Sequence, residues 1–114
     1  MSLSLLQGIN PWVALLIAGA LEIAWASGFK YVSPQRPLIS LMVGLAMVTS
    51  FYFLWLATQK LPVGTAYAVW TGIGAAGAAI IGMLIFKEPM TAVRILSLVA
   101  IIGGVVGLKL GSGH

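Results

Sequence analysis

Four long apolar runs, separated by short polar breaks that each contain proline, constrain the fold of this chain more than any other feature. They cover about residues 11–30, 37–58, 63–86 and 92–110. About 20 residues of α-helix cross the hydrocarbon core of a bilayer, so each run is long enough to span it. Because proline ends helices and the breaks are short, neighbouring helices are expected to be antiparallel. The sequence therefore predicts an all-α integral membrane protein with four transmembrane helices in a single domain, residues 1–114.

The composition supports this class and argues against most others. Of 114 residues, 61% are hydrophobic and 7% are charged, whereas soluble domains have about 25% charged residues. The chain has no Cys, and its one His is the last residue, His114. No spacing typical of metal ligands or of a nucleophile and its base is present, so we expect no enzymatic activity, no metal and no cofactor. The net charge of +4 predicts contact with the lipid interface rather than with nucleic acid.

The basic residues are divided almost evenly between the two sides of the predicted bundle. The side with the first and third loops has Lys30, Arg36, Lys87 and Arg94. The other side has the amino terminus, Lys60 and Lys109. Since orientation depends on the difference in Lys and Arg between the two sides, this balance predicts insertion in both orientations. The alternative is a weak preference for the first and third loops in the cytoplasm.

Glu22 is the only carboxylate inside a predicted span, and it lies about midway along the first one. A charged residue at such a depth is unfavourable by about 2.5–3.5 kcal/mol on insertion scales and usually has a function. Gly19, about one helical turn earlier, leaves space for something to approach the carboxylate. Trp25, one turn later, supplies an aromatic wall and an indole N–H. The alternative is a permanently protonated Glu22 that only donates a hydrogen bond between helices.

Two other spans contain polar and aromatic residues near their middle. Ser50 lies in the second span, and Tyr67 and Trp70 share one face of the third. Alone, each aromatic residue is equally well explained as an interface or packing residue. Together with Glu22 they predict a site for a small cation, because aromatic faces attract cations and the acid supplies the charge.

Glycines form two patterns in the last two spans. Gly72, Gly74 and Gly77 predict a hinge in the third span, with close helix packing as an equally good explanation. They match a dinucleotide-binding pattern, but that pattern requires a preceding strand. In the fourth span, Gly103, Gly104 and Gly107 belong to small-residue repeats four apart, which favour close approach of two helices. We therefore assign the fourth span to self-association.

A homodimer would bring two Glu22 residues into one cavity. If the two copies insert oppositely, they form an inverted pair about an axis in the membrane plane, the symmetry of many transporters. The balanced loop charges are consistent with such a pair. A third possibility is a subunit that does not transport and whose fourth helix only docks onto a partner, although such a subunit would have no use for Glu22.

Two motifs resemble the small multidrug resistance family. They are GALEIAWA at residues 19–26, followed by Lys30 and Tyr31, and LPVGTAYAVW at residues 61–70. The resemblance extends over about residues 12–110. Within the family, TGIGAAG at residues 71–77 and FKEP at residues 86–89 resemble the guanidinium-exporter subtype.

The resemblance implies an antiparallel, dual-topology homodimer in the bacterial inner membrane that exports guanidinium, or a substituted guanidinium, in exchange for protons. It implies that Glu22 binds both proton and substrate, with Trp25, Ser50, Tyr67 and Trp70 around it, and that Ser50 forms a hydrogen bond to Glu22. A broad-specificity exporter of quaternary ammonium and aromatic cations is the alternative function. Some members of the family are heterodimers of fixed orientation, usually with skewed loop charges.

Overall fold

The computed structural model describes residues 8–112, and His114 and the amino terminus lie outside them. This part of the chain forms four long helices: α1 Pro11–Gly28, α2 Pro37–Thr58, α3 Val63–Leu84 and α4 Ala92–Gly111. A short 3-10 helix, Phe29–Tyr31, follows α1 directly. Each of the four is long and apolar enough to cross a membrane.

Polar side chains and prolines fix the points where the helices begin. Asn10 caps α1, because its side chain accepts a hydrogen bond from the Trp12 backbone N–H at 2.8 Å. Thr91 caps α4 in the same way, accepting from the backbone N–H of Arg94 at 3.2 Å. Proline occupies the first turn of α1 and of α2, a position where its missing N–H costs nothing.

The turn between α3 and α4 is held by backbone and side-chain contacts of Glu88. Its N–H donates to the Gly82 carbonyl at 3.0 Å, and its carboxylate forms an ion pair with Arg94 at 3.0 Å. Lys87 has a φ of 57°, which turns the chain back toward the helix end. As a result α3 ends at Leu84, before the apolar run does.

Contacts between distant parts of the chain define the two ends of the bundle. At one end the Lys30 ammonium lies 4.7 Å from the centre of the Phe86 ring, so the first and third loops are neighbours. At the other end Lys60 donates to the Ile9 carbonyl at 3.2 Å, which places the second loop beside the start of α1. The chain therefore runs up and down through the bundle, as predicted.

The three helices α1, α2 and α3 share one core, and α4 packs mainly against α3. Leu15 of α1 and Val69 of α3 are among the most buried side chains of that core. The fourth helix buries one residue, Leu98, which packs with Ala76 and Met83 of α3. Most of the α4 surface is consequently left open in the single chain.

Candidate functional site

The Glu22 side chain lies between α1 and α3, directly against Gly74. A Cβ atom added to Gly74 would overlap the Glu22 carboxylate. The Oε1 atom of Glu22 is buried and has no hydrogen-bond partner among residues 8–112. In the same part of the chain, the ion pair present is the one between Arg94 and Glu88, so Glu22 has no basic partner there. The carboxylate thus has free acceptor capacity for a proton or an organic cation.

Ser50 connects three helices through its hydroxyl group, and it is fully buried. The hydroxyl donates to the carbonyl of Ala18 on α1 at 2.6 Å. It also accepts from the indole Nε1–H of Trp70 on α3 at 3.0 Å. The hydrogen bond from Ser50 to Glu22 that the resemblance implies is therefore not formed. The single hydroxyl proton of Ser50 is donated to the carbonyl of Ala18, which lies one turn before Glu22.

The predicted aromatic residues form a continuous row together with Phe51, which the sequence did not predict. Phe51 lies between the two tryptophans, with ring centres 6.3 Å from Trp25 and 5.6 Å from Trp70. Tyr67 adjoins Trp70 with ring centres 5.6 Å apart, and more than half of its surface is exposed. Phe51 could have been found from its position next to Ser50, the polar residue near the middle of its span.

The indole of Trp25 has an open hydrogen-bonding position. Its Nε1 atom is buried and has no acceptor within residues 8–112. An apolar groove of about 240 Å³ lies beside this residue, between α1 and α2, and is lined by Ile39, Met42 and Val43 among others. Trp25 therefore borders both the aromatic row and a groove able to accept apolar groups.

The glycines predicted as pocket lining or hinge all lie at helix contacts. A Cβ on Gly19 would overlap Ile73, and one on Gly77 would overlap Ile23, so α1 and α3 approach closely along this line. Gly72 faces Val105 of α4 in the same manner. In this conformation α3 is helical without interruption, and bending at Gly72, Gly74 and Gly77 stays a prediction.

The glycines predicted for dimerisation lie away from this site. A Cβ on Gly103, Gly104 or Gly107 would meet nothing within 4 Å. They lie on an open face of α4. Among residues 8–112 no group of three or more His, Asp or Glu side chains could hold a metal ion.

Comparison with known proteins agrees with the arrangement of four membrane-spanning helices. The family model described as Small Multidrug Resistance protein matches residues 10–101. The chain belongs to the small multidrug resistance family. Its four apolar helices and its family indicate a multi-pass protein of the bacterial inner membrane.

Individual members of the family are similar over nearly their whole length. The chain is 51% identical over 102 residues to proteins named guanidinium exporter from Citrobacter freundii and Salmonella typhimurium. These alignments cover 89% of this chain and 97% of each relative. A guanidinium exporter of Yersinia pseudotuberculosis is 49% identical, with 98% of its length covered.

Proposed function

We propose that this protein exports guanidinium from the cell in exchange for protons, and that Glu22 binds either ion. The observation that supports this most directly is the Glu22 carboxylate, which has a buried oxygen without a partner among the described residues. The relatives named guanidinium exporter support the choice of substrate. Their names also favour transport over enzymatic activity.

The chemistry of guanidinium fits the residues around Glu22. The ion is planar and permanently charged, and its N–H groups pair with a carboxylate through two parallel hydrogen bonds. Aromatic rings such as Trp25 and Tyr67 attract a cation through their faces. Proton and guanidinium would compete for the same oxygens, and this competition produces exchange if the empty carrier does not reorient.

The functional unit we propose is an antiparallel homodimer. Each copy has one carboxylate in a span, and two copies would place both Glu22 residues in one cavity. The open glycine face of α4 is available for the contact between copies. With the copies inserted oppositely, exchange of conformations between them would open the cavity to alternate sides of the membrane.

The groove beside Trp25 favours a second candidate, a broad-specificity exporter of quaternary ammonium and aromatic cations. Its lining is apolar and borders Trp25, so a bulky apolar substituent on a cation would fit there. Comparing transport of a quaternary ammonium ion with transport of guanidinium separates this function from guanidinium export.

Transport currents in proteoliposomes of the purified protein test the substrate. We expect currents with guanidinium and phenylguanidinium, and none with a tetraalkylammonium ion, which has no N–H groups for the carboxylate. Robust tetraalkylammonium currents would instead assign the broad-specificity function. Absence of both current and proton-driven uptake with all three cations would contradict both functions.

Replacement of Glu22 tests the role of the carboxylate. We expect Glu22→Gln to abolish proton-driven guanidinium uptake, because the amide neither titrates nor pairs with the cation. Glu22→Asp keeps the charge but shortens the side chain, so transport should persist with a shifted pH dependence. Full proton-driven uptake by the Glu22→Gln protein, measured with radiolabelled guanidinium at equal protein levels, would refute the mechanism.

The charge balance of the loops predicts both orientations in one membrane. A reporter tag fused to the carboxyl terminus should be accessible from both sides in similar amounts, since neither side has a clear excess of Lys and Arg. Adding two Lys residues to the second loop should shift the tag to the cytoplasmic side. Detection of the unmodified protein's tag on one side alone would contradict dual insertion.

A further inference from the structure

A groove between α1, α3 and α4 has polar groups at only one end. It has a volume of about 240 Å³ and is lined by apolar side chains such as Leu16, Ile73 and Val106. Its other lining residues include Trp12 and Lys109, which lie at the bundle end that has the second loop. The groove therefore runs from the membrane interface toward the middle of the bilayer.

Two hydrogen-bond donors at the interfacial end lack acceptors among residues 8–112. The Lys109 ammonium lies 5.0 Å from the centre of the Trp12 ring, and it forms no ion pair with any residue between 8 and 112. The Nε1 atom of Trp12 is buried, also without an acceptor in that range. Because a buried indole N–H usually has a partner, the missing acceptor points to a group outside residues 8–112.

An apolar groove with a cation at its interfacial end is complementary to an amphiphile with an anionic head. The transported cation does not fit, since Lys109 would repel it. A second copy of the chain is the competing occupant, since Val106 lies within one turn of Gly103 and Gly107 on α4, and cross-linking at Val106 distinguishes it from a lipid.

We propose that this groove binds one anionic phospholipid, with its phosphate at Lys109 and Trp12 and part of an acyl chain along Leu16, Ile73 and Val106. The site would hold the lipid beside α1 and α3, the helices that position Glu22. It is separate from the transported substrate and does not depend on which cation is exported.

Lipid retention in native mass spectrometry tests the site. The purified protein is exchanged into micelles containing either phosphatidylglycerol or phosphatidylcholine with the same acyl chains. We expect phosphatidylglycerol to be retained preferentially, and Lys109→Gln to reduce its retention about fivefold, as expected for one Lys at an anionic lipid surface. Lys109→Arg should restore retention.

Lys60→Gln is the matched control, because it removes one positive charge at the same end of the bundle. Lys60 already donates to the Ile9 carbonyl, so its loss should leave the preference for phosphatidylglycerol unchanged. Equal effects of the two substitutions, or equal retention of the two lipids by the unmodified protein, would overturn the proposal.

Filling the groove with a larger side chain gives an independent test. Val106→Phe should reduce phosphatidylglycerol retention while both Lys residues remain, and circular dichroism verifies that the helices are intact. The chain has no Cys, so Val106→Cys also introduces a single cross-linking site. Efficient disulfide formation between Cys residues of two copies would show that a second copy covers the groove, and it would overturn the lipid site.

Discussion

Gly74 determines how closely α3 approaches α1 beside the carboxylate. The Glu22 side chain occupies the space that any larger residue at this position would need for its Cβ atom. The neighbouring contacts between Gly19 and Ile73, and between Gly77 and Ile23, bring the two helices together along the same line. Glycine is thus required at residue 74 because the Glu22 side chain occupies the adjacent space, and not because of an unusual backbone angle.

We expect Gly74→Ala to displace the Glu22 carboxylate and to weaken guanidinium binding about tenfold. Overpacking of this kind costs about 1–3 kcal/mol, and about 1.4 kcal/mol corresponds to a tenfold change in affinity. Isothermal titration with guanidinium measures the change. Gly64→Ala is the control, since its Cβ would meet nothing within 4 Å. Equal affinities of the two variants would contradict this role of Gly74.

At the scale of single residues, the sequence predicts which side chains share a helix face but not which partners they contact. Helical spacing places Glu22 and Trp25 on one part of α1 and Tyr67 and Trp70 on one part of α3. It does not give the rotation of one helix relative to another. That rotation decides that Ser50 donates to Ala18 and accepts from Trp70, which the spacing of residues along each helix could not show.

At the scale of elements, the turn from α3 to α4 is closely packed. Gly82 leaves room for the Glu88 carboxylate, and a Cβ atom there would overlap it. The ion pair between Glu88 and Arg94 is at the surface, with 35% of the Arg94 side chain and 45% of the Glu88 side chain exposed. Exposed pairs of this kind contribute about 0–1 kcal/mol, so the packing at Gly82 should matter more.

We therefore expect Gly82→Ala to lower the free energy of unfolding by about 1–3 kcal/mol. Arg94→Gln should lower it by less than about 1 kcal/mol. Unfolding in mixed micelles with increasing dodecyl sulfate, followed by circular dichroism, gives both values. Gly44→Ala is the control, because it lies within α2 with open space around it and alanine favours helix. A larger effect of Arg94→Gln than of Gly82→Ala would contradict the ranking.

The same turn contains a helix end that the hydropathy pattern does not predict. The apolar run continues through Ile85 and Phe86, so hydropathy alone extends the helix to residue 86. The helix ends earlier because Lys87 adopts a positive φ and the Glu88 N–H reaches back to Gly82. Pro11 and Pro37 predict helix starts more clearly than hydropathy predicts this helix end, and α1 and α2 begin at these residues.

For the whole molecule, the main feature is the open surface of α4. The helix buries Leu98 alone in this chain, and its glycines face no other part of residues 8–112. Lipid tails are as apolar as the helix surface, so tight packing between small residues is what drives helix association in a membrane. This surface is suited to contact with a second copy.

We expect Gly107→Leu to weaken association between copies about tenfold, because a large side chain would separate the two helices. Energy transfer between donor- and acceptor-labelled copies in lipid vesicles, measured over a range of protein-to-lipid ratios, gives the dissociation constant. Gly64→Leu introduces the same side chain at another open position and should leave association unchanged. Unchanged association of the Gly107→Leu protein would contradict the assignment of α4.

The hydroxyl of Ser50 has a consequence for how such proteins can diverge. It joins α1, α2 and α3 through two hydrogen bonds, and these three helices include Glu22 and the whole aromatic row. The fourth helix is attached mainly to α3 and contributes none of these groups. In the proposed dimer, mutations on the outer face of α4 can therefore change which partner a copy accepts, while the residues proposed to bind ions stay under separate selection. If the proposed homodimer forms, a gene duplication could convert it into two mutually dependent proteins by changes confined to the 20 residues of α4.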